Sequence, residues 1–172
     1  MRLIFFRLLV VILLLQSFAH LPQVRAQDAD EDSDDGPRVV GVSEYISLVN
    51  NATNRLNRSA DLLVSLVNNP RLDDTWWQQL DEIVESDARA YESVATVQPP
   101  DCLSQYHDRL LEAFDLHQQV TQTVAAAMRI DKQDPQWAAT MRQATDLRAQ
   151  ENTRMKEAQL FRPSNADLRD NC

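Results

Sequence analysis

Two histidines lie on one predicted helix, and imidazole is a common metal ligand and proton carrier near neutral pH. His107 and His117 are ten residues apart, which separates them by roughly 15 Å along a helix axis. One ion cannot bind both at that distance. The sequence contains no His-Glu-x-x-His, no Cys-x-x-Cys-His and no Glu-x-x-His pair, which are the signatures of zinc proteases, attached haem and di-iron bundles. We therefore predict no metal and no cofactor, and a structural or surface role for both histidines.

Cys102 and Cys172 are the only cysteines, and they follow a segment of the secretory type described below. Cysteines of small exported proteins commonly pair. A tail of about ten residues after the last predicted helix is long enough to return Cys172 to Cys102. The sequence thus predicts a disulfide between them. A disulfide-linked dimer and free thiols are the alternatives, and neither cysteine stands in a redox or nucleophilic motif.

Three tryptophans, Trp76, Trp77 and Trp137, are candidates for binding a ligand. The predicted topology places them at one end of the fold, and indole rings bind sugars, aromatic groups and cations. The competing interpretation, which we favour, is that they close the core at that end. Trp76 and Trp77 are adjacent and point about 100° apart on a helix, so one of them must be partly exposed.

Most catalytic architectures are disfavoured by the scarcity of glycine. Gly36 and Gly41 are the only glycines, and phosphate-binding loops and nucleophile elbows need this residue at fixed positions. The two lysines, Lys132 and Lys156, lie among polar residues at predicted helix ends. No serine, cysteine or lysine stands beside a recognisable base, and we predict that the protein is not an enzyme.

The elements that position these side chains are helices. After Pro99 and Pro100, apolar residues recur in steps of three and four from Leu103 to Met128, with Asp101 placed to cap the helix. Similar patterns predict helices over about 43–67, 74–97 and 134–160. The last begins with Asp134 as its cap and proline in its first turn.

One charged residue, Asp87, interrupts the apolar stripe of the second predicted helix. Because buried charges are costly, we expect Asp87 at the edge of the buried face. A buried pair with Arg55 or Arg58 is the alternative. Short connections force successive helices to be antiparallel, so the predicted fold is an all-α, up-down-up-down four-helix bundle over residues 42–161 with a C-terminal tail over 162–172.

Residues 1–26 have the pattern of a cleaved signal peptide. Arg2 and Arg7 precede an apolar run that ends at Leu15, and the sequence Val-Arg-Ala closes the segment at Ala26. The run is too short to span a bilayer. We therefore predict a secreted or periplasmic protein with no stable membrane anchor after cleavage. Residues 27–41, with six carboxylates between Asp28 and Asp35, are predicted to form a disordered acidic arm.

The charge of the chain excludes one class of partner. The whole sequence carries a formal charge of −9, and removal of residues 1–26, which contain three arginines and no acid, leaves −12. Such a surface repels phosphate backbones and anionic lipid, so nucleic acid is not an expected partner. The partner remains an unknown protein or small ligand, and the sequence does not indicate the oligomeric state.

The segment PPDCLSQYHDRLLEAFDLHQQ, with the signal peptide and the alanine-rich helix that follows, resembles uncharacterised secreted or lipoprotein-like helical proteins of bacteria. The shared pattern is Pro-Pro before a helix of the form His-x-x-Leu-Leu-x-Ala. The resemblance implies an exported helical protein and no particular activity. The lipid-attachment cysteine of many such proteins is missing here.

We therefore expect an exported, non-enzymatic helical bundle that binds a ligand or partner or serves structurally. A metal- or cofactor-carrying bundle that uses His107 or His117 is the alternative. A cytokine-like ligand is a third hypothesis, suggested by the disulfide and by glycosylation sequons at Asn51 and Asn57. The short connections disfavour it, because those bundles need long crossovers.

Overall fold

Four helices make up nearly all of the regular structure in the described part of the chain. The computed structural model describes residues 36–164, Leu168 and Cys172. The helices are α1 (Val42–Asn68), α2 (Asp74–Ala95), α3 (Ser104–Met128) and α4 (Pro135–Leu160). The predicted all-α, up-down-up-down bundle is confirmed. The predicted signal peptide (1–26), the carboxylate-rich part of the predicted arm and most of the predicted C-terminal tail lie outside the described residues.

Two of the four helices begin at a carboxylate cap. The Asp73 side chain accepts a hydrogen bond from the Trp76 amide at the start of α2. Asp134 accepts one from the Gln136 amide at the start of α4, with Pro135 as the first helical residue, as predicted. None of the helices in the described part of the chain is long and apolar enough to cross a membrane.

The predicted cap at Asp101 is wrong. A turn of 3₁₀ helix over Asp101–Leu103 precedes α3, closed by a hydrogen bond from the Leu103 amide to the Pro100 carbonyl. This turn moves the first residue of α3 to Ser104, so Leu103 and not Asp101 stands at the capping position. No side chain of the described residues caps α3.

A short parallel strand pair corrects two predicted boundaries. Strand β1 (Arg38–Val39) pairs with β2 (Val97–Gln98), which follows α2. The predicted disordered arm, residues 27–41, therefore extends too far along the chain. Its last part is paired in a strand, and Val40 is apolar and only 4% exposed against the core. The predicted second helix also ends too late, since the residue before Pro99 is held in extended backbone.

The bundle core consists of two apolar clusters. The first surrounds Tyr45, Leu110 and Phe114, near the start of α1 and of α3. The second surrounds Leu63, Trp76 and Leu80, at the other end of the bundle. On α1, for example, Leu56 belongs to the first cluster and Leu63 to the second. All four helices thus pass from one cluster into the other.

The bundle is open along one side. Successive helices pack on each other, and α4 lies mainly on α3. The first and last helices, α1 and α4, make no comparable contact. A groove runs between them, with α3 as its floor.

Candidate functional site

A polar layer crosses the bundle between the two apolar clusters, and all four helices contribute to it. On α1 its member, Ser59, lies between Leu56 and Leu63 of the two clusters. The layer consists of buried polar and charged side chains: Ser59, Asp87, His117, Thr121 and Glu151. Because buried polar groups are stable only when they are paired, the contacts within this layer decide its role.

His117 on α3 is the centre of the polar layer. Its side chain is 7% exposed. Nδ1 lies 2.9 Å from Oε1 of Glu151 on α4, and Nε2 lies 3.5 Å from Oδ2 of Asp87 on α2. One imidazole therefore stands between two carboxylates from the two neighbouring helices.

His117 carries a positive charge at neutral pH. Burial by itself lowers the pKa of His117, but the hydrogen bond to Glu151 and the negative charges of Asp87 and Glu151 outweigh burial and raise the pKa to about 9. Both ring nitrogens are then protonated, so Nδ1 donates to Glu151. The approach of Arg148 Nη1 to Nδ1, at 3.3 Å, joins two donors and is no hydrogen bond.

Arg148 completes the charge balance of this cluster. Its Nη1 donates to Oε2 of Glu151 at 2.6 Å. Burial tends to raise the pKa of Glu151, but the hydrogen bonds and charges of His117 and Arg148 hold that pKa below its usual value. Two cations, His117 and Arg148, thus balance two carboxylates, and the half-buried guanidinium of Arg148 extends from this cluster to the groove between α1 and α4.

Asp87 corrects the prediction made from the sequence. It is fully buried in the middle of the α2 face formed by Trp76, Leu80, Ile83, Ala90 and Val94, not at the edge of that face. Its Oδ2 accepts a hydrogen bond of 2.6 Å from the Thr121 hydroxyl. Its charged partner is His117 of α3, rather than either of the α1 arginines. Within the described part of the chain, the other oxygen, Oδ1, has no hydrogen-bond partner.

The groove between α1 and α4, here the apolar groove, adjoins this charged cluster. Its volume is about 500 Å³. Its walls are mainly aliphatic: Ala60, Leu63, Val64, Val67, Val120, Val124, Met141, Ala144 and Ala149. His117, Thr121, Arg148 and Asn152 supply polar groups at the end near the polar layer. A smaller cavity of about 160 Å³ continues beyond them toward Met155.

The predicted tryptophan site is only partly assembled. The Trp76 and Trp77 rings meet edge to face with their centroids 4.7 Å apart. Their indole nitrogens donate to the Leu66 and Leu72 carbonyls, and the Arg129 guanidinium lies 5.4 Å from the centre of the Trp77 ring. Trp76 is buried and Trp77 partly exposed, as their spacing predicts. These contacts fix the α1–α2 connection to the bundle.

Within the described residues, no ring contact joins Trp137 to this pair. Trp137 belongs to neither apolar cluster, and its buried Nε1 has no hydrogen-bond partner among the described residues. None of the three tryptophans lines the apolar groove. The proposed tryptophan site therefore stays a prediction, and the groove lies elsewhere.

The two histidines differ in charge and in surroundings. His107 lies among the apolar residues near Tyr45, and a hydrogen bond of 3.1 Å joins the Tyr45 hydroxyl and Nδ1 of His107. Burial lowers the pKa of His107 and raises that of Tyr45, so both groups are neutral at pH 7. At His117, Asp87 faces Nε2 and Glu151 faces Nδ1. A single metal ion could not bind both carboxylates, because they lie on opposite sides of the ring. The described residues contain no cluster of three or more side chains suited to a metal.

The predicted disulfide is confirmed. Cys102 and Cys172 are joined, with 5.7 Å between their Cα atoms. The bond ties the C-terminal tail to the start of α3, and Leu168 packs against the first apolar cluster. Both cysteines thus lie at the end of the bundle that the alternating helix directions predict.

A comparison of the chain with protein-family models, with curated proteins and with solved structures found no match. The class of the protein is therefore given by its fold and site alone: an all-α bundle with a charged layer across its core and a groove between its first and last helices.

Proposed function

We propose that this chain is an exported, non-enzymatic binding protein that holds a small, largely apolar molecule in the apolar groove. The observation that carries the proposal is the gap between α1 and α4, which leaves aliphatic side chains facing a common space instead of each other. The volume of about 500 Å³ is in the range typical of small-molecule sites.

The polar end of the groove supports the proposal. Arg148 uses Nη1 to bind Glu151, and its other nitrogens have no partner among the described residues. Asn152, one helical turn further along α4, also lines the groove. A small number of polar groups at one end of an otherwise apolar site is typical of a pocket that orients its ligand. The fitting molecule has an aliphatic or aromatic body and one hydrogen-bond acceptor at its end.

The non-enzymatic interpretation is supported by the fact that the charged groups of the polar layer bind each other. The two carboxylates of the polar layer are held by His117, Thr121 and Arg148. A protonated imidazole between two carboxylates is a structural cation and a poor base. Export is supported by the disulfide and by the signal-like pattern of residues 1–26.

The test is a titration of the purified chain with N-phenyl-1-naphthylamine, an uncharged dye that fluoresces in apolar surroundings. Ala149 lines the groove and is exposed, so an Ala149→Phe substitution fills the groove without entering the core. Ala139 is an exposed alanine on the same helix outside the groove, and Ala139→Phe is the matched control.

We expect saturable binding of one dye per chain, a dissociation constant raised at least tenfold by Ala149→Phe, and no change with Ala139→Phe. Absence of saturable binding, or an equal effect of both variants, would overturn the proposal. Elemental analysis and an absorption spectrum of the same sample test the alternative. A stoichiometric metal or a haem band would favour the cofactor-carrying bundle that uses His107 or His117.

A further inference from the structure

A second groove lies between α1 and α2, and its lining differs from that of the apolar groove. Its volume is about 980 Å³. Three arginines line it: Arg55 and Arg58 from α1 and Arg89 from α2. We call it the arginine groove. The α1 residues that line the two grooves are different ones, so the two sites occupy separate faces of that helix.

The arginines of this groove have few carboxylate partners among the described residues. The chain has 26 acidic and 17 basic residues, and arginines elsewhere, such as Arg38, Arg71 and Arg154, bind neighbouring carboxylates. Among the described residues, Arg55 and Arg58 make no ion pair with a carboxylate. They lie three residues apart on one helix, where like charges repel.

The third arginine adds to this positive charge from the opposite wall. Arg89 has only a long contact of 3.7 Å with Glu85 on its own helix. Among the described residues, the one carboxylate that lines the groove is Glu82, whose Oε1 accepts a hydrogen bond from Gln78. A locally positive surface thus exists on a strongly acidic protein.

The neutral lining of the groove combines three apolar residues, Leu62, Leu66 and Ile83, with side chains that can donate hydrogen bonds to oxygen. Ser59 and Ser86 join α1 to α2 through hydroxyls 3.4 Å apart, and Asn51, Ser65 and Gln79 also face the groove. Guanidinium groups match the planar and tetrahedral geometry of carboxylate, phosphate and sulfate. Hydroxyl and amide groups beside them serve the remaining ligand oxygens.

We propose that the arginine groove binds a small molecule that carries two or more oxyanion groups, held by Arg55 and Arg58 from one side and by Arg89 from the other. The ligand is distinct from the apolar molecule of the first groove. Since the three guanidiniums come from two helices, a ligand with separated charges contacts both walls, whereas a single small anion reaches one.

The experiment is calorimetric titration of the full chain, produced without glycosylation so that Asn51 is bare. The probes are citrate, tripolyphosphate and a disulfated disaccharide, which separate carboxylate, phosphate and sulfate as the preferred oxyanion; chloride is the single-charge comparison. The test variant is the double substitution Arg55→Gln/Arg58→Gln. Arg142→Gln is the matched control, because Arg142 is exposed, makes no ion pair among the described residues and lines neither groove.

We expect at least one probe to bind with a stoichiometry of one, more weakly as salt is added. We expect the double variant to weaken binding at least tenfold and the Arg55→Lys/Arg58→Lys variant to recover part of it, since lysine keeps the charge and loses the planar fork. The control variant and Ala149→Phe should leave binding unchanged. Failure of all three probes to bind, or an equal loss in Arg142→Gln, would overturn the proposal without bearing on the apolar groove.

Discussion

His117 and Glu151 join α3 to α4 in the middle of the bundle, with 2.9 Å between Nδ1 and Oε1. The same imidazole reaches Asp87 of α2 on its other side. A buried charge that needs partners on two other helices permits few alternative registers, as buried polar residues do in coiled coils. It also places Arg148 at the end of the apolar groove.

Replacement of His117 should destabilise the fold strongly. In His117→Asn, Asp87 and Glu151 stay buried without their shared cation, and we expect a loss of about 3 kcal/mol in the free energy of unfolding. Urea unfolding at pH 6.5, followed by circular dichroism, measures this loss. His107→Asn makes the same change of size but removes one neutral hydrogen bond to Tyr45, so its expected cost is nearer 1 kcal/mol. Equal losses in both variants would mean that the His117 charge is unimportant.

Stability should fall as the pH rises above 6.5. Because the folded-state pKa of His117, about 9, is above the unfolded value of about 6.5, its contribution is complete below pH 6.5 and is lost as the pH passes through 9. The loss is on the order of 3 kcal/mol. Urea unfolding between pH 6 and 9.5 avoids the titration of Tyr45 and Tyr106, whose pKa values are raised. The stability difference between the parent chain and His117→Asn should shrink over this range; a constant difference contradicts the assignment.

Reduction of the disulfide should destabilise the bundle without unfolding it. The bond closes a loop with a sequence separation of 70, for which the chain-entropy model gives about 4 kcal/mol. Thermal unfolding with and without a reductant measures the effect. The Cys102→Ser/Cys172→Ser variant should match the reduced parent and should not respond to the reductant. A parent protein that is indifferent to reduction would show that the bond does not contribute to stability.

The helices could be predicted because their signals are local. Steps of three and four between apolar residues, with Asp134 and Pro135 at the start of α4, are contained in single segments of sequence. The disulfide followed from alternating helix directions and from the length of the tail. Asp101 failed as a cap because the prolines before it set up a 3₁₀ turn, which the pattern of apolar residues does not reveal.

The site could not be predicted because its partners are far apart in sequence. Asp87 and Thr121 are 34 residues apart, as are His117 and Glu151. The cost of burying Asp87 depends on which residue of α3 faces it, and periodicity on α2 alone cannot show this. The apolar groove depends on the failure of α1 and α4 to close, a property of the whole bundle. The sequence did contain one signal of the polar layer. The apolar stripe of α1 is interrupted by Ser59 and that of α2 by Asp87, and both polar residues lie near the middle of their helices.

Amide signals of the ¹⁵N-labelled chain, recorded during titration with N-phenyl-1-naphthylamine, test the central claim most directly, because they report where an apolar molecule binds. We expect the signals that shift to belong to residues 60–68 of α1, 120–124 of α3 and 141–152 of α4, with the dye between the first and last helices. Shifts confined to the surroundings of Trp76, Trp77 and Trp137, or no saturable shift at all, would contradict the account.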